Sequence, residues 1–562
     1  MEFFGTSFLR FPGHFLRMKS DMTSRLLSLF ISSSLLLCGQ EEWKPDVPNQ
    51  TGVDGYQFKP KALPEKTAGD NSQILLPSLR GLIVQTPGEN LVPQPGQIQA
   101  GQLPAASDLT ARLEPHLSEP LTQDGLAFLI ELILSHYDAQ GYPVVDVVVP
   151  EQDISAGILT LEVIKGRVGK VGLQKTKYFK AALLGRGIHL KSGQLIESKK
   201  LQRDLDWLGR NPFRQTSLFA TPGDQPAVGD FLIGLKEERP WRVYTGYHNL
   251  GADVVGEDRF SAGVNWGNAF GQDHLFSYQF TTGSDLGDFR AHAFSWEIPL
   301  HQSHYFVRFS GARADVQSSE SGIDSEGGYR EISVALGRPL DRWHALKQEV
   351  SLALEWKNID NFASFGEVSL PGAEVDLLQL HLAYRADGEQ WGGRLNLSGD
   401  VIFSPGKNST SDFQQFREGA DSQYALLRAS TRWQRNIWND WTLKLSFLGQ
   451  YSPDKLLPSE QLGLGGFETI RGYSEREFLA DSGYAFSAEV GSPVISLKSL
   501  NLQPVAFLDQ GIGWRHGEGS NSLSGAGLGL RLEAGQSLRG RIDWAATNEG
   551  GSRWHFGFLL NF

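Results

Sequence analysis

The chain has 562 residues, a net charge of −12 and a pI near 5.6, so nothing in its charge points to a nucleic-acid partner. Its 63 glycines and 11% aromatic content suit many tight turns and interfacial aromatic belts. Mean hydropathy is −0.28, and no stretch beyond residue 40 offers the ~20 apolar residues of a membrane-spanning helix. A β-barrel escapes such a scan because only alternate residues face lipid.

The single cysteine, Cys38, rules out an intrachain disulfide. It ends a stretch that reads as a secretory signal peptide, residues 1–40. Lys19 and Arg25 form its basic part, and residues 26–37 form an apolar core broken by Ser32, Ser33 and Ser34. Met18 and Met22 are alternative starts. Leu35-Leu36-Leu37-Cys38 has the outline of a lipoprotein box, but Leu37 stands where a small residue belongs. Residues 41–73 are rich in Pro, Lys, Asp and Gly and read as a linker that cannot bury a core. Their proline content argues against a long helix.

Residues 74–166 predict a compact α/β module. Leu82-Ile83-Val84 is a strand and residues 109–117 a short helix. A stronger helix starts near Thr122, with Leu126, Leu129, Ile130, Ile133 and Tyr137 at helical spacing, and Gly141 and Pro143 end it. Two strands follow, at residues 144–149 and at Leu159, Leu161 and Val163. Residues 167–238 repeat the order: a strand at 168–173, a short helix at 178–184, a helix carrying Leu201, Leu205 and Leu208, then strands at 216–220 and 231–235.

From Trp241 the pattern becomes repeated alternation. Phe260, Ala262, Val264 and Trp266 lie on one face, and Arg259, Ser261, Gly263 and Asn265 on the other. Tyr305, Val307 and Phe309 repeat it, as do Val350, Leu352, Leu354 and Trp356, then Leu378, Leu380, Leu382 and Tyr384. Trp441, Leu443, Leu445, Phe447, Gly449 and Tyr451 make the longest set. Residues 318–328 and 404–421 read as turn-rich separators. About sixteen candidate strands reach the C-terminus, an even number as bacterial barrels have. The last runs Trp554, Phe556, Phe558, Leu560 and terminal Phe562, alternating with His555, Gly557, Leu559 and Asn561. Such an apolar edge invites aggregation unless barrel closure removes it.

Several motifs together resemble one family. Gly141-Tyr142, a valine strand, Pro150-Glu151-Gln152-Asp153 and then Gly157-Ile158-Leu159-Thr160-Leu161-Glu162-Val163 resemble the first POTRA domain of two-partner-secretion transporters, the TpsB or haemolysin/haemagglutinin secretion-activation class. Leu456-Leu457-Pro458-Ser459-Glu460-Gln461, Gly465-Gly466 and Ile470-Arg471-Gly472-Tyr473 resemble that family's sixth extracellular loop. Phe507-Leu508-Asp509-Gln510-Gly511 resembles its inner-wall motif, with Phe507, Asp509 and Gly511 at every second position. The end of the chain resembles the signal by which outer-membrane proteins are recognised for insertion, with Phe556, Phe558 and Phe562 carrying it.

The resemblance implies two periplasmic POTRA domains (74–166 and 167–238), followed by an antiparallel transmembrane β-barrel of about sixteen strands (239–562). It implies that loop 456–481 folds into the lumen, with Arg471, Gly472 and Tyr473 as the loop anchor and Phe507, Asp509 and Gly511 as its wall partners, Arg471 pairing with Asp509. It further implies transport of an unfolded secreted polypeptide, a large β-helical exoprotein, through the outer membrane. The other partners implied are outer-membrane lipid and, during biogenesis, the barrel-assembly machinery.

No cofactor, metal, nucleotide or nucleic acid is expected. Gly463-Leu464-Gly465-Gly466 lacks the lysine and helix of a phosphate loop, and the 13 histidines lack metal-ligand spacing. His301 and His304 flank a turn and are expected to be exposed. No Ser-His-acid set can be placed, so the chain does not read as an enzyme. An assembly factor that inserts other outer-membrane proteins is the alternative, although such factors usually carry more POTRA modules. A passive porin is the third reading, and the POTRA repeat argues against it.

Overall fold

A computed structural model describes residues 74–562 apart from 226, 252–255, 321–322, 366–367, 407–409 and 536. The expected signal peptide and linker lie outside the described residues. The chain divides into two units, one ending at Glu238 and the other running from Arg239 to the C-terminus.

Among the described residues the first unit holds two main sheets, each with its own apolar core, and a two-stranded pairing of Ile74–Leu76 with Leu121–Thr122. In the first sheet the strands lie in the order Ile98–Ala100, Gly81–Gln85, Ile158–Lys165, Val145–Val148, with the last pair antiparallel. Helices Ala106–Leu113 and Gln123–Ala139 cover it. They bury Leu109, Leu113, Leu129, Ile133 and Tyr137 against Leu82, Val84, Leu159 and Leu161. The Thr122 side chain caps the longer helix by accepting the Gly125 N–H at 3.0 Å, as an N-terminal threonine can. Strand Ile98–Ala100 was not visible in the sequence, because three residues are too few to alternate.

The second sheet orders Arg167–Leu173, Val228–Glu237, Arg214–Pro222 and packs on helix Ser198–Leu208 through Leu201, Leu205 and Leu208. The short helix expected at 178–184 forms only over Ala181–Leu184. Within this module buried Asp204 accepts the N–H groups of His189 and Leu190 at 2.7 and 3.0 Å, which ties the preceding loop to the helix.

The second unit is a closed antiparallel barrel. Its first strand, Trp241–His248, pairs with its last, Ser552–Asn561. Segments Ser482–Gly491 and Ile495–Leu497 both pair with Leu500–Arg515 and are separated by Ser492, Pro493 and Val494, so they form one wall strand. Counted so, the wall has sixteen strands.

The alternation read from the sequence is the alternation of the wall. Phe260, Leu352, Leu354 and Leu508 face outward and are exposed, whereas Arg259, Ser261 and Asp509 face inward and are buried. A membrane crossing needs ~9–11 residues per strand. Four consecutive strands, Tyr305–Glu320, Ile323–Trp343, Leu346–Phe365 and Val368–Gln390, have 16 to 23 residues and therefore project beyond it. This corrects the reading of 318–328 as turn-rich. Most of that stretch is strand, and it is polar because it lies past the apolar band. The stretch at 404–421 does leave the wall, but it contains a helix, Thr410–Phe416, that the sequence did not suggest.

An arginine-seated loop inside the barrel

Strands Thr442–Tyr451 and Ser482–Gly491 pair directly with each other, so the intervening residues leave and rejoin the wall at the same rim. Between them the chain folds inward. Leu462–Leu464 and Phe478–Ala480 form a small antiparallel hairpin. Leu462, Leu464, Ile470 and Tyr473 pack with Ala485 and Leu523 of the wall. A loop that buries this much apolar surface is a packed element of the lumen.

Beyond the hairpin the loop turns sharply. Gly472 has φ +99°, a conformation that side chains resist. Its N–H donates to His555 Nε2 at 3.0 Å, which requires that nitrogen to be unprotonated. The backbone also comes very close to the wall at this height. A Cβ at Gly525 would run into the Arg471 carbonyl oxygen, and one at Gly511 would lie 3.0 Å from Ile470 Cδ1. Glycine at these wall positions makes room for the loop.

The turn delivers Arg471 to the inner face of Leu500–Arg515. Its Nε and Nη2 donate to Asp509 Oδ2 and Oδ1 at 2.7 and 2.8 Å, and its backbone N–H donates to Oδ2 at 3.1 Å. Nη1 reaches Glu489 at 2.9 Å and Asp543 at 3.4 Å, and Nη2 reaches Ser487 at 3.2 Å. The Phe507 ring lies beneath, 3.3 Å from Cζ to ring centroid. A planar fork with five donors suits this wall as a lysine would not.

Arg471 and Asp509 are each 3% exposed, so the charges are taken out of bulk water. Burial works against the guanidinium's charge. The Asp509 hydrogen bonds and the surrounding carboxylates outweigh it and hold the group above its ordinary range. The cluster is balanced, because Arg531 and Arg541 join it: Arg531 bonds Asp543 and Glu489 at 2.6 Å each, and Arg541 bonds Asp543 at 2.7 Å. Three guanidiniums thus face three carboxylates. Tyr473 continues along the wall, donating its hydroxyl to Asn548 at 2.5 Å.

Of the residues singled out from sequence, Arg471, Gly472, Tyr473, Phe507, Asp509 and Gly511 lie together in the lumen. Phe556 and Phe558 lie on the outward-alternating face of the last strand, and exposed Phe562 ends the chain. Sequence reasoning missed Glu489, Asp543, Ser487 and Gly525. The signal was there: Glu489 and Asp543 are acidic residues on the inward phase of strands whose outward neighbours are Ala488, Val490, Ile542 and Trp544. His301 and His304 are each 5% exposed, against the expectation of exposure, and His301 Nε2 lies 3.4 Å from the Asp273 carboxylate.

Comparison with known proteins agrees with this architecture. The POTRA domain of ShlB type matches residues 98–166, and the haemolysin secretion/activation protein ShlB/FhaC/HecB matches residues 230–532. The outer membrane transporter CdiB of Dickeya dadantii is 23% identical, over 76% of this chain and 77% of its own. The hemolysin transporter protein HpmB of Proteus mirabilis is 21% identical, over 85% and 87%. The solved structure of CdiB from Escherichia coli superposes with a TM-score of 0.75 at 18% identity, covering 99% of this chain and all of that one. With its family match spanning more than half its length, the chain belongs to the haemolysin secretion/activation family ShlB/FhaC/HecB.

Proposed function

We propose that this outer-membrane transporter conducts an unfolded secreted polypeptide through its barrel, and that loop 456–481 is the working part of the pore. Arg471, Gly472 and Tyr473 seat the loop, and Phe507, Asp509 and Gly511 receive it. The observation that carries this reading is the bidentate seat of Arg471 on Asp509 inside a closed wall. A loop held there by charge-assisted bonds occupies the path that a translocating chain must take, yet it can be displaced without unfolding the barrel.

The two α/β modules of the first unit suit the capture of an extended chain. Each sheet has a free edge, Val145–Val148 in the first and Arg214–Pro222 in the second, and such an edge can accept a peptide as an added strand. Relatives named as hemolysin and outer membrane transporters support a secreted exoprotein as cargo, and we read it as large and β-helical. Folding of that partner outside the cell supplies the drive. On the outer face, Phe556, Phe558 and Phe562 meet lipid and form the signal that the barrel-assembly machinery reads.

A photo-crosslinker at Phe219, exposed on strand Arg214–Pro222, tests the capture step. It is expected to trap the partner during export. Export that proceeds with no adduct along Arg214–Pro222 or Val145–Val148 would contradict the capture role.

A further inference from the structure

The loop touches the wall at a second place, on the far side of the lumen. Glu460, at the start of the loop, accepts from Lys357 Nζ at 3.1 Å, and both side chains are buried. Lys357 belongs to Leu346–Phe365, the seventh wall strand. Asp509 and Asp543 belong to the thirteenth and fifteenth, so in a closed ring of sixteen the two contacts lie on opposite walls. Loop 456–481 is therefore a strut across the pore rather than a flap hung from one side.

The two charged contacts are unequal, although near Glu460 the loop is also held by Gln450 Nε2, which donates to the Glu460 carbonyl at 2.9 Å, and by Leu456 and Leu457 packed on the wall. Arg471 makes six hydrogen bonds to four wall side chains, Asp509, Glu489, Asp543 and Ser487, and it lies on an aromatic ring. Lys357 makes one hydrogen bond to the loop, and its charge is shared with Glu355 at 3.9 Å. Glu355 is itself engaged by His381 at 2.8 Å, and His381 continues to Asp400 at 2.7 Å. When Glu460 leaves, this wall network keeps Lys357 partnered, so the wall tolerates the loop's departure.

The loop is also stiff between its ends. Arg476 Nη2 donates to the Pro458 and Gln461 carbonyls at 3.1 and 3.0 Å, which binds the Glu460 turn to the returning limb. A push on this turn is thus carried to the rest of the loop as a rotation about its better-held end.

We propose that Lys357 is a positioning residue for transport. With Glu460 it forms the releasable latch of a strut whose pivot is Arg471, and the latch opens when the polypeptide passes. This proposal rests on the reading of the loop as the working part of the pore. A lost charged hydrogen bond at the latch corresponds to about a tenfold shift toward the open state.

The test uses the full-length protein in planar bilayers and in exporting cells, with heat-modifiable migration as the check that the barrel is folded. Lys357→Met and Glu460→Gln are each expected to raise the open fraction about tenfold while export continues, and the exchange Lys357→Glu with Glu460→Lys to restore the closed state. The Glu460→Gln variant retains Lys357 and so keeps the wall network should Lys357→Met fold poorly. A cleavable thiol linker joining Lys357→Cys to Glu460→Cys, with Cys38 replaced, is expected to stop export until the linker is cut.

Unchanged conductance in folded Glu460→Gln, or export that continues through the uncut linker, would overturn the latch. An Arg471→Ala arm separates the two ideas. If that variant loses export while the linked protein keeps it, only the latch fails; if it exports normally, the loop reading fails.

Discussion

Arg417 reaches from the loop that follows strand Gly393–Pro405 and closes on Asp481, the last residue before strand Ser482–Gly491, with Nη2 to Oδ2 at 2.8 Å. Asp481 also accepts the N–H groups of Leu456 and His516 at 3.0 and 2.8 Å and the Gln461 side chain at 3.1 Å. One carboxylate thus gathers both ends of the lumen loop and two neighbouring loops at a single rim.

Removing the clasp should loosen this rim without unseating Arg471. Arg417→Ala leaves a buried carboxylate short of its cation, a loss of ~3–5 kcal/mol where a pair is fully shielded and less at a rim. Limited proteolysis of intact cells is expected to cut within 410–421 several times faster in this variant. Unchanged cleavage would show that the clasp carries no load.

The clasp also has a pH window. Burial raises the Asp481 carboxyl, but the hydrogen bonds from Arg417, His516 and Leu456 outweigh it, so it sits below its ordinary value. A carboxyl depressed in the folded state contributes its stability above the unfolded value of about 4, and loses it as pH falls through the lower folded value. The proteolysis pattern is therefore expected to be flat from neutral pH down to about 5, then to approach that of Arg417→Ala in stronger acid. Loosening already at pH 6 would contradict the assignment.

The wall carboxylates should rank by geometry. Asp509 accepts three bonds from Arg471, and Glu489 accepts one while also holding Arg531. Asp509→Asn is expected to reduce export far more than Glu489→Gln, whose loss is ~1–2 kcal/mol of seating. Secretion measured at matched surface levels checks the order, and equal effects would mean that charge alone, not the fork, seats the loop.

Space at the wall should matter as much as charge. Gly525→Val drives a side chain into the Arg471 carbonyl, and Gly472→Ala forces a side chain into a conformation costing about 1–3 kcal/mol beside Thr547 Cγ2. Both variants are expected to assemble as barrels with an unseated loop, seen as cysteine labelling of the loop interior. A sealed loop in Gly525→Val would refute the close approach.

Much of the fold was legible because a barrel writes itself in period two. Arg259 to Trp266 and the aromatic run ending at Phe562 show which residues face lipid. Legibility failed where a strand leaves lipid: past about Asp315 the chain no longer needs apolar residues, and the strand there looked like a turn. It failed again for His301, which lies beside Asp273 of a neighbouring turn, a pairing that exists only in three dimensions.

The loop and its wall motif could be paired by resemblance alone. Spacing along the chain does not say that Arg471 and Asp509 meet. Glu489 and Asp543 stand on the inward phase of their strands, but which of the inward residues share one height depends on the register of four strands around the ring. That register is set by hairpins outside the motif.

Arg471 is the residue on which the seating of the loop turns, and secretion of the partner by Arg471→Ala is its most direct test. The barrel's many interstrand bonds are untouched, so the variant should reach the surface at the wild-type level and migrate as a folded barrel. Export is predicted to fall to background, because loss of the fork leaves Asp509 buried without its cation, at ~3–5 kcal/mol, and lets the loop drift in the lumen. Wild-type secretion by Arg471→Ala at equal surface abundance would contradict the claim that this residue sets the loop for transport.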